Sequence, residues 1–137
     1  MPALTGVLET CLYVADLKRS AAFYQRVFGI RTLDADDRFC AFEVSGRQVL
    51  LLFAQGASGK PVSLPGGTIP PHDGAGRLHV AFAIPAASLP AWEAHLQKQG
   101  VPIESRVRWP RGGTSLYFRD PDGHLIELAT PGLWWRD

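Results

Sequence analysis

The sequence has little cysteine, almost no net charge and no long apolar run, and each of these absences excludes a class of protein. Its two cysteines, Cys11 and Cys40, are too few for a disulfide framework. Lys and Arg number 14 against 13 Asp and Glu, a net charge of +1, which argues against nucleic-acid binding and polybasic membrane binding. No apolar run reaches the ~18 residues of a transmembrane helix, and no basic, apolar leader is seen, so we expect a cytoplasmic protein.

Glycine and proline are abundant, and their placement divides the sequence. Of the 14 glycines and 11 prolines, ten lie between residues 55 and 76. This composition predicts a stretch without regular secondary structure. A loop of this length inside a compact domain is usually functional or mobile, so we interpret it as a flap beside a pocket, with a plain linker as the alternative.

The residues before this stretch have the pattern of a β-α-β-β-β module. Residues 7–14 are rich in apolar and β-forming types, which predicts a strand. Asp16 is a good N-cap for a helix whose apolar positions recur from Leu17 at helical spacing, and Gly29 closes that helix. Three short strands are then predicted, at 30–34, 39–44 and 48–54.

The residues after the stretch repeat that order. A strand is predicted over 77–84, then a helix that Ser88 can cap, with Pro90 in its first turn and Gly100 at its end. Asp-Pro-Asp-Gly at 120–123 is a strong turn signal, because proline presets φ and glycine tolerates positive φ. The remaining strands are predicted at 101–108, 114–119 and 124–129.

The repeat therefore predicts an α+β protein made of two βαβββ modules. With 137 residues, of which 46% are hydrophobic and 20% charged, the chain has the size and composition of one globular domain. Within that domain of residues 1–137, module one spans 6–54, the crossover loop 55–76, module two 77–130 and the C-terminal tail 131–137.

Three polar side chains occupy matching places in otherwise apolar strands. Glu9 and His79 lie in the first strands of the two modules. Glu127 lies in the last strand of module two, and the offset between modules brings Leu51 close to equivalence with it. Taken singly, each carboxylate is explained equally well by facing solvent, and His79 is better explained as a hydrogen-bonded core histidine. Their shared placement favours a metal site, since solvent-facing residues have no reason to match.

The residue types suit a divalent cofactor. One imidazole and two carboxylates accept zinc, nickel, cobalt, manganese or iron(II). Three protein ligands leave positions open for water or substrate, as catalytic sites require. We therefore expect a divalent metal ion bound by Glu9, His79 and Glu127.

Two segments carry a family resemblance. One is the opening LETCLYV (8–14), with DLKRS (16–20) and FYQRVFG (23–29), and the other is the closing YFRDPDGHLIEL (117–128). Together they resemble the vicinal oxygen chelate superfamily. This superfamily includes glyoxalase I, extradiol dioxygenases, methylmalonyl-CoA epimerase, and fosfomycin-resistance and bleomycin-resistance proteins.

The resemblance implies paired βαβββ modules that form a cup-shaped mixed sheet around a divalent metal, with the three residues above as its ligands. Glyoxalase I has a fourth ligand, a glutamate, where this chain has Leu51. Extradiol dioxygenases use two histidines and one carboxylate, whereas the two carboxylates here favour Lewis-acid chemistry. Fosfomycin-resistance enzymes use three ligands and share Tyr117, but they have histidine at the position of Glu9 and a catalytic threonine at the position of Cys11.

Alternation along the strands predicts the walls of a substrate pocket. If Glu9 points inward, Cys11 and Tyr13 share that face. Each wall candidate is more often part of a plain core than of a binding site. The further candidates are Leu51, Phe53, Trp109 and Tyr117.

We expect a glyoxalase-like lyase or isomerase acting on a small molecule that chelates the metal through adjacent oxygens. Glu9 or Glu127, transiently displaced, would serve as general base. The resemblance implies a homodimer in which Glu9 comes from one subunit and His79 with Glu127 from the other. Two alternatives stay open: a dioxygenase of the same superfamily, and a bleomycin-type resistance protein that binds its ligand without turnover.

Overall fold

A computed structural model describes residues 1–135 of the chain. The last two residues of the predicted C-terminal tail lie outside this range. The chain divides into two compact units, Met1–Gly76 and the residues from Arg77 onward. In the described part, no helix is long and apolar enough to cross a membrane.

The first unit is a four-stranded mixed sheet with one helix. Its elements are β1 (Glu9–Val14), α1 (Leu17–Phe28), β2 (Thr32–Ala35), β3 (Phe39–Val44) and β4 (Gln48–Ala54). The strand order is β1-β4-β3-β2, with β1 parallel to β4 and the other pairs antiparallel. The Asp16 side chain caps α1 by accepting from the Arg19 backbone N–H, and Gly29, with a left-handed φ of 61°, ends the helix as predicted.

The core of this unit lies between α1 and one face of the sheet. Side chains of β1 and β4 that point to the helix are almost fully buried, as are Tyr24 of α1 and Phe42 of β3, whose ring centroids lie 6.4 Å apart. These strand residues are Leu12, Val14, Leu50 and Leu52. Because strand side chains alternate, the odd-numbered residues of β1 and β4 form the opposite, open face.

The crossover segment 55–76 differs from the sequence prediction. It contains a short antiparallel hairpin, β5 (Val62–Leu64) and β6 (Gly67–Ile69), where we expected no regular element. The glycines and prolines that predicted irregular structure lie mainly at its turn, Pro65-Gly66, and outside its strands. Strands of three residues are too short to show a pattern between such breakers.

The second unit repeats the topology of the first. Its elements are β7 (His79–Ala83), α2 (Leu89–Lys98), β8 (Ser105–Arg108), β9 (Thr114–Arg119) and β10 (Leu125–Ala129). The strand order is β7-β10-β9-β8, with β7 parallel to β10. Both units are thus βαβββ modules, which confirms the predicted α+β fold class.

Two local predictions in the second unit are wrong. Residues 101–104 are not a strand, because the Val101 N–H donates to the Leu96 carbonyl at the end of α2 and Pro102 has no N–H for a ladder. Ser88 precedes α2, but its side chain does not cap the helix. Its hydroxyl donates instead to the Pro85 carbonyl at 2.8 Å, within a short 3-10 turn over Ala86–Ser88.

Candidate metal centre

His79 and Glu127 lie side by side on the open face of the second sheet. In the parallel pairing of β7 and β10, His79 is opposite Leu125 and Glu127 is opposite Ala81. The His79 Nε2 atom is 3.2 Å from Glu127 Oε1. The imidazole is 48% exposed, whereas the carboxylate is 7% exposed. A buried acid therefore faces a ring that solvent or a ligand can reach.

The hydrogen bond of His79 Nδ1 sets the tautomer of the ring, and therefore whether Nε2 is a donor or an acceptor. Nδ1 is 2.8 Å from the Leu125 carbonyl oxygen, which only accepts, so Nδ1 carries the proton. In the neutral ring, Nε2 then presents its lone pair to Glu127 Oε1. Two acceptors at this distance need a cation between them, either a proton on Nε2 or a metal ion. Ligands of one metal with bonds of about 2.1 Å lie about 3.0–3.4 Å apart, so the pair fits a metal.

The other oxygen of Glu127 is held by a serine. Ser115 is fully buried, and its Oγ donates to Glu127 Oε2 at 2.5 Å. The Trp109 indole N–H in turn donates to Ser115 Oγ at 2.8 Å. Glu127 thus has one oxygen fixed by the fold and one directed at His79.

Tyr117 adds a phenol beside this pair. It is opposite Glu127 in the β9–β10 pairing, and its ring centroid is 6.4 Å from that of His79. Burial, and next the charge of Glu127, raise the pKa of the Tyr117 phenol. Because the ordinary value is already near 10, the hydroxyl stays protonated at neutral pH and acts as a donor.

A cavity of about 570 Å³ opens beside His79 and Glu127. The side chains on its floor are small, because Ala81 and Ala83 of β7 lie on the same face of the sheet as His79. Trp109 and Tyr117, two of the predicted wall residues, line it. The remaining wall includes the tail from Pro131 to Trp135. Apart from His79 and Glu127, the described lining contains no Asp, Glu, His, Lys or Arg residue.

The tail that closes this wall is fixed by contacts within the second unit. Arg111 donates to the Leu133 carbonyl at 3.1 Å, and the Thr130 N–H donates to the Thr114 carbonyl at 3.0 Å. Gly113 and Gly132 pack so closely that a Cβ on Gly132 would lie 2.8 Å from the Gly113 nitrogen. The path of the tail beside the cavity is therefore built into the fold.

The other predicted site residues lie in the first unit. β1 pairs with β4 so that Cys11 is opposite Leu51 and Tyr13 is opposite Phe53. Glu9 is exposed at the start of β1. All five belong to the open face of the first sheet.

Aromatic rings fill the end of that face. The Tyr13 hydroxyl is 2.7 Å from His72 Nδ1, and the His72 ring lies 4.6 Å from that of Phe53. Burial, and next Cys11, raise the pKa of Tyr13. His72 belongs to the crossover segment. Residues 70–76 of that segment therefore cover this end of the face, and we call them the strap. Sequence reasoning missed His72, since nothing local links it to Tyr13.

The structure brings two of the three predicted ligands together. Within residues 1–135 no group of three or more His, Cys, Asp and Glu side chains is placed to hold a metal ion. His79 and Glu127 form the adjacent pair, and Glu9 belongs to the first unit. A three-ligand site therefore requires a ligand beyond this pair.

Comparison with known proteins assigns the chain to a family. The model of the glyoxalase/bleomycin resistance protein/dioxygenase superfamily matches residues 6–128. The chain belongs to this superfamily. Among curated members, a metallothiol transferase FosB from Bacillus licheniformis is 31% identical over 134 residues, which cover 97% of this chain and 80% of that protein.

A solved structure of the superfamily matches nearly the whole fold. The crystal structure of a lactoylglutathione lyase from Agrobacterium tumefaciens superposes with a TM-score of 0.87 at 33% identity, covering 97% of this chain and 98% of the other. A biphenyl-2,3-diol 1,2-dioxygenase from Rhodococcus globerulus is 42% identical over 75 residues, which are 49% of this chain and 39% of that enzyme. The superfamily resemblance predicted from the opening and closing segments is thus confirmed.

The sequence also gave no direct indication that Ser115 is a site residue. It lies two residues before Tyr117 on β9, so both side chains lie on the same face of the strand. Extending the alternation from Tyr117 would have found it, because the same rule placed Cys11 and Tyr13 beside Glu9. Its role depends on the register with β10, which pairing across the strands supplies and the local sequence does not.

Proposed function

We propose that the chain is a metal-dependent enzyme of this superfamily, a glyoxalase-like lyase or isomerase whose small substrate binds through adjacent oxygens. The observation that carries the proposal is the facing pair of acceptors, His79 Nε2 and Glu127 Oε1, at 3.2 Å beside a cavity. The similarity to a lactoylglutathione lyase over 97% of the chain supports this reaction class.

His79 and Glu127 are the residues that would hold the metal. In a homodimer, Glu9 of a second subunit would complete a set of one imidazole and two carboxylates, which suits zinc, nickel, cobalt, manganese or iron(II). A bound divalent ion supplies a Lewis acid, which acidifies a coordinated water or the C–H bond beside a coordinated carbonyl.

The protein's own groups have separate tasks in this proposal. Both oxygens of Glu127 are engaged, one by Ser115 and one at the His79 side, so Glu127 would remain a ligand. Glu9, transiently displaced from the metal, would be the better general base. Tyr117, a neutral phenol at pH 7 beside the His79 ring, would donate a hydrogen bond to a substrate oxygen. The alanine floor and tryptophan walls orient the apolar part of the substrate and exclude water.

Metal analysis tests the proposal. Purified protein is stripped with a chelator and titrated with Co²⁺, Ni²⁺, Zn²⁺, Mn²⁺ and, without oxygen, Fe²⁺. We expect tight binding of at least one ion, lost in His79→Ala and Glu127→Gln and weakened in Glu9→Gln. His95→Ala and Glu104→Gln, which change the same residue types elsewhere in the second unit, should bind like the wild type. Absence of tight binding by the wild type would overturn the proposal.

Thiol transfer is a second candidate, favoured by the similarity to FosB over 97% of the chain. Apart from the proposed metal ion, the described cavity lining offers a phosphonate no Lys or Arg side chain, which makes this the second candidate. Three assays on the metal-loaded protein separate the reactions: turnover of glutathione adducts, thiol consumption with fosfomycin, and oxygen uptake with catechols. Metal binding without turnover in any assay would favour a bleomycin-type binding protein.

A further inference from the structure

A chain of two hydrogen bonds ends on the inner oxygen of Glu127. Its first donor is the Trp109 indole N–H, 2.8 Å from Ser115 Oγ, and its second is the Ser115 hydroxyl, 2.5 Å from Glu127 Oε2. As whole residues, Ser115 is 0% exposed and Glu127 is 5% exposed. Both groups are therefore shielded from bulk water.

The direction of this chain is forced by the chemistry of its members. An indole has a donor and no acceptor, so Trp109 occupies an acceptor position on Ser115 Oγ. The hydroxyl proton of Ser115 is then free to point to Glu127, which in its ionised form only accepts. The short distance of 2.5 Å is typical of a charge-assisted O–H···O⁻ bond.

The hairpin between β8 and β9 holds Trp109 in place. The backbone N–H of Trp109 donates to the Gly113 carbonyl at 2.7 Å, and the backbone N–H of Gly112 donates to the Trp109 carbonyl at 2.9 Å. Gly113 is packed against the tail, since a Cβ there would lie 2.7 Å from Leu133 Cδ1. The indole is therefore anchored from its backbone and from its side chain.

We propose that Ser115 and Trp109 are positioning residues that make Glu127 a monodentate ligand, with Oε2 kept by Ser115 and Oε1 presented to the metal beside His79 Nε2. This inference rests on the metal site of the proposed function. Partners outside the coordination sphere fix the orientation of ligands, and losing one typically weakens metal binding 10- to 100-fold. Without the serine, Oε2 loses this donor, and Glu127 can bind the metal through both oxygens.

Cobalt binding to the full-length protein tests the inference, because the visible spectrum of Co²⁺ reports coordination number independently of turnover. The variants are Ser115→Ala, which removes the hydroxyl, and Trp109→Phe, which keeps a ring and removes the N–H. The matched controls are Ser63→Ala on β5 and Trp92→Phe on α2. Thermal melts establish that each variant is folded, and Trp109→Phe keeps the test open if Ser115→Ala does not fold.

We expect Co²⁺ to bind Ser115→Ala about 10- to 100-fold more weakly than the wild type, with weaker visible bands as the coordination number rises. Trp109→Phe should move both readouts in the same direction by less, and both controls should leave them unchanged. Unchanged affinity and spectrum in both variants, with binding still lost in His79→Ala, would overturn this inference alone. A wild type that binds no Co²⁺ or other divalent ion would overturn the proposed function and this inference with it.

Discussion

In the first unit, the open face between β1 and β4 is filled by the rings of Tyr13, Phe53 and His72, whereas in the second unit the face between β7 and β10 carries alanines and opens to a cavity. The two faces have the same strand pairing. Glu9 is opposite Val49 as His79 is opposite Leu125. The difference therefore comes from side chains placed on one shared backbone plan.

One equivalent pair of positions shows this most directly. Leu51 lies opposite Cys11 in the first unit, and Glu127 lies opposite Ala81 in the second. An apolar residue at this position is compatible with a filled face. A carboxylate there is buried, with Ser115 donating to one of its oxygens and His79 Nε2 3.2 Å from the other. The same strand pairing thus carries a filled face in the first unit and a face with a buried carboxylate beside a cavity in the second.

The largest effect should come from giving the second unit the residue of the first. Glu127→Leu removes a proposed ligand and makes the position like Leu51, so we expect metal affinity to fall by at least about 100-fold. Calorimetric titration with Co²⁺ or Zn²⁺ measures this. Leu51→Met is the control, since it changes the equivalent position without adding or removing a charge. Equal metal affinity of Glu127→Leu and the wild type would show that the glutamate at this position of the second unit does not bind the metal.

Filling the cavity should make the second face resemble the first in shape. Ala83→Leu places a larger side chain on the floor without touching the His79–Glu127 pair, so we expect Co²⁺ affinity to be unchanged. A catechol, used as a chelating probe on the cobalt-loaded protein, should bind about tenfold more weakly, a steric cost of about 1.4 kcal/mol. Ala22→Leu on the exposed side of α1 is the control. Unaltered catechol binding would place the probe outside this cavity.

Several features of both units could be predicted from the sequence because their signals are local. Asp16 and Gly29 bound α1, and Gly123, with φ of 82°, closes the turn after Asp120. Such caps and turns depend on a few neighbouring residues. The repeat of these signals was enough to predict two βαβββ modules.

Other features depend on contacts between distant residues, and no local pattern carries them. Tyr13 and His72 are 59 positions apart. The composition of the crossover segment indicated a flap beside a pocket, but nothing in it identified His72 as the residue that contacts β1. Ser115 reaches Glu127 only through the β9–β10 register. The metal-ligand types were visible in the strands, but the groups that hold them in place were not.

A glycine in the crossover segment sharpens the comparison from the side of the first unit. A Cβ on Gly74 would lie 2.4 Å from the Tyr13 ring, so Gly74→Ala must displace the strap or the ring. We expect a loss of about 1–3 kcal/mol in the free energy of unfolding, measured in urea, and faster hydrogen exchange over residues 70–76. Gly66→Ala, where a Cβ meets nothing within 4 Å, should change neither. Equal stability of the two variants would mean that the strap does not support the packed face.

The smallest expected effect concerns pH and the Tyr13 phenol. Burial, the neighbouring Cys11 and the charge of Asp73 raise the pKa of Tyr13 in the folded chain above its unfolded value near 10. The folded state thus favours the neutral phenol, so its contribution to stability is complete below about pH 10 and is lost as pH rises through the folded pKa.

Tyr13→Phe isolates this contribution. At pH 7 the variant should be less stable than the wild type by about 1 kcal/mol, because the hydrogen bond to His72 is gone. Above about pH 10 the gap should narrow, since only the wild type pays to bury an ionising phenol. Tyr117 and Cys40, whose pKa values burial also raises, are present in both proteins and cancel in the difference. Urea unfolding at pH 8, 9.5 and 10.5 measures the gap, and a constant gap would mean that ionisation of Tyr13 is not coupled to the packed face.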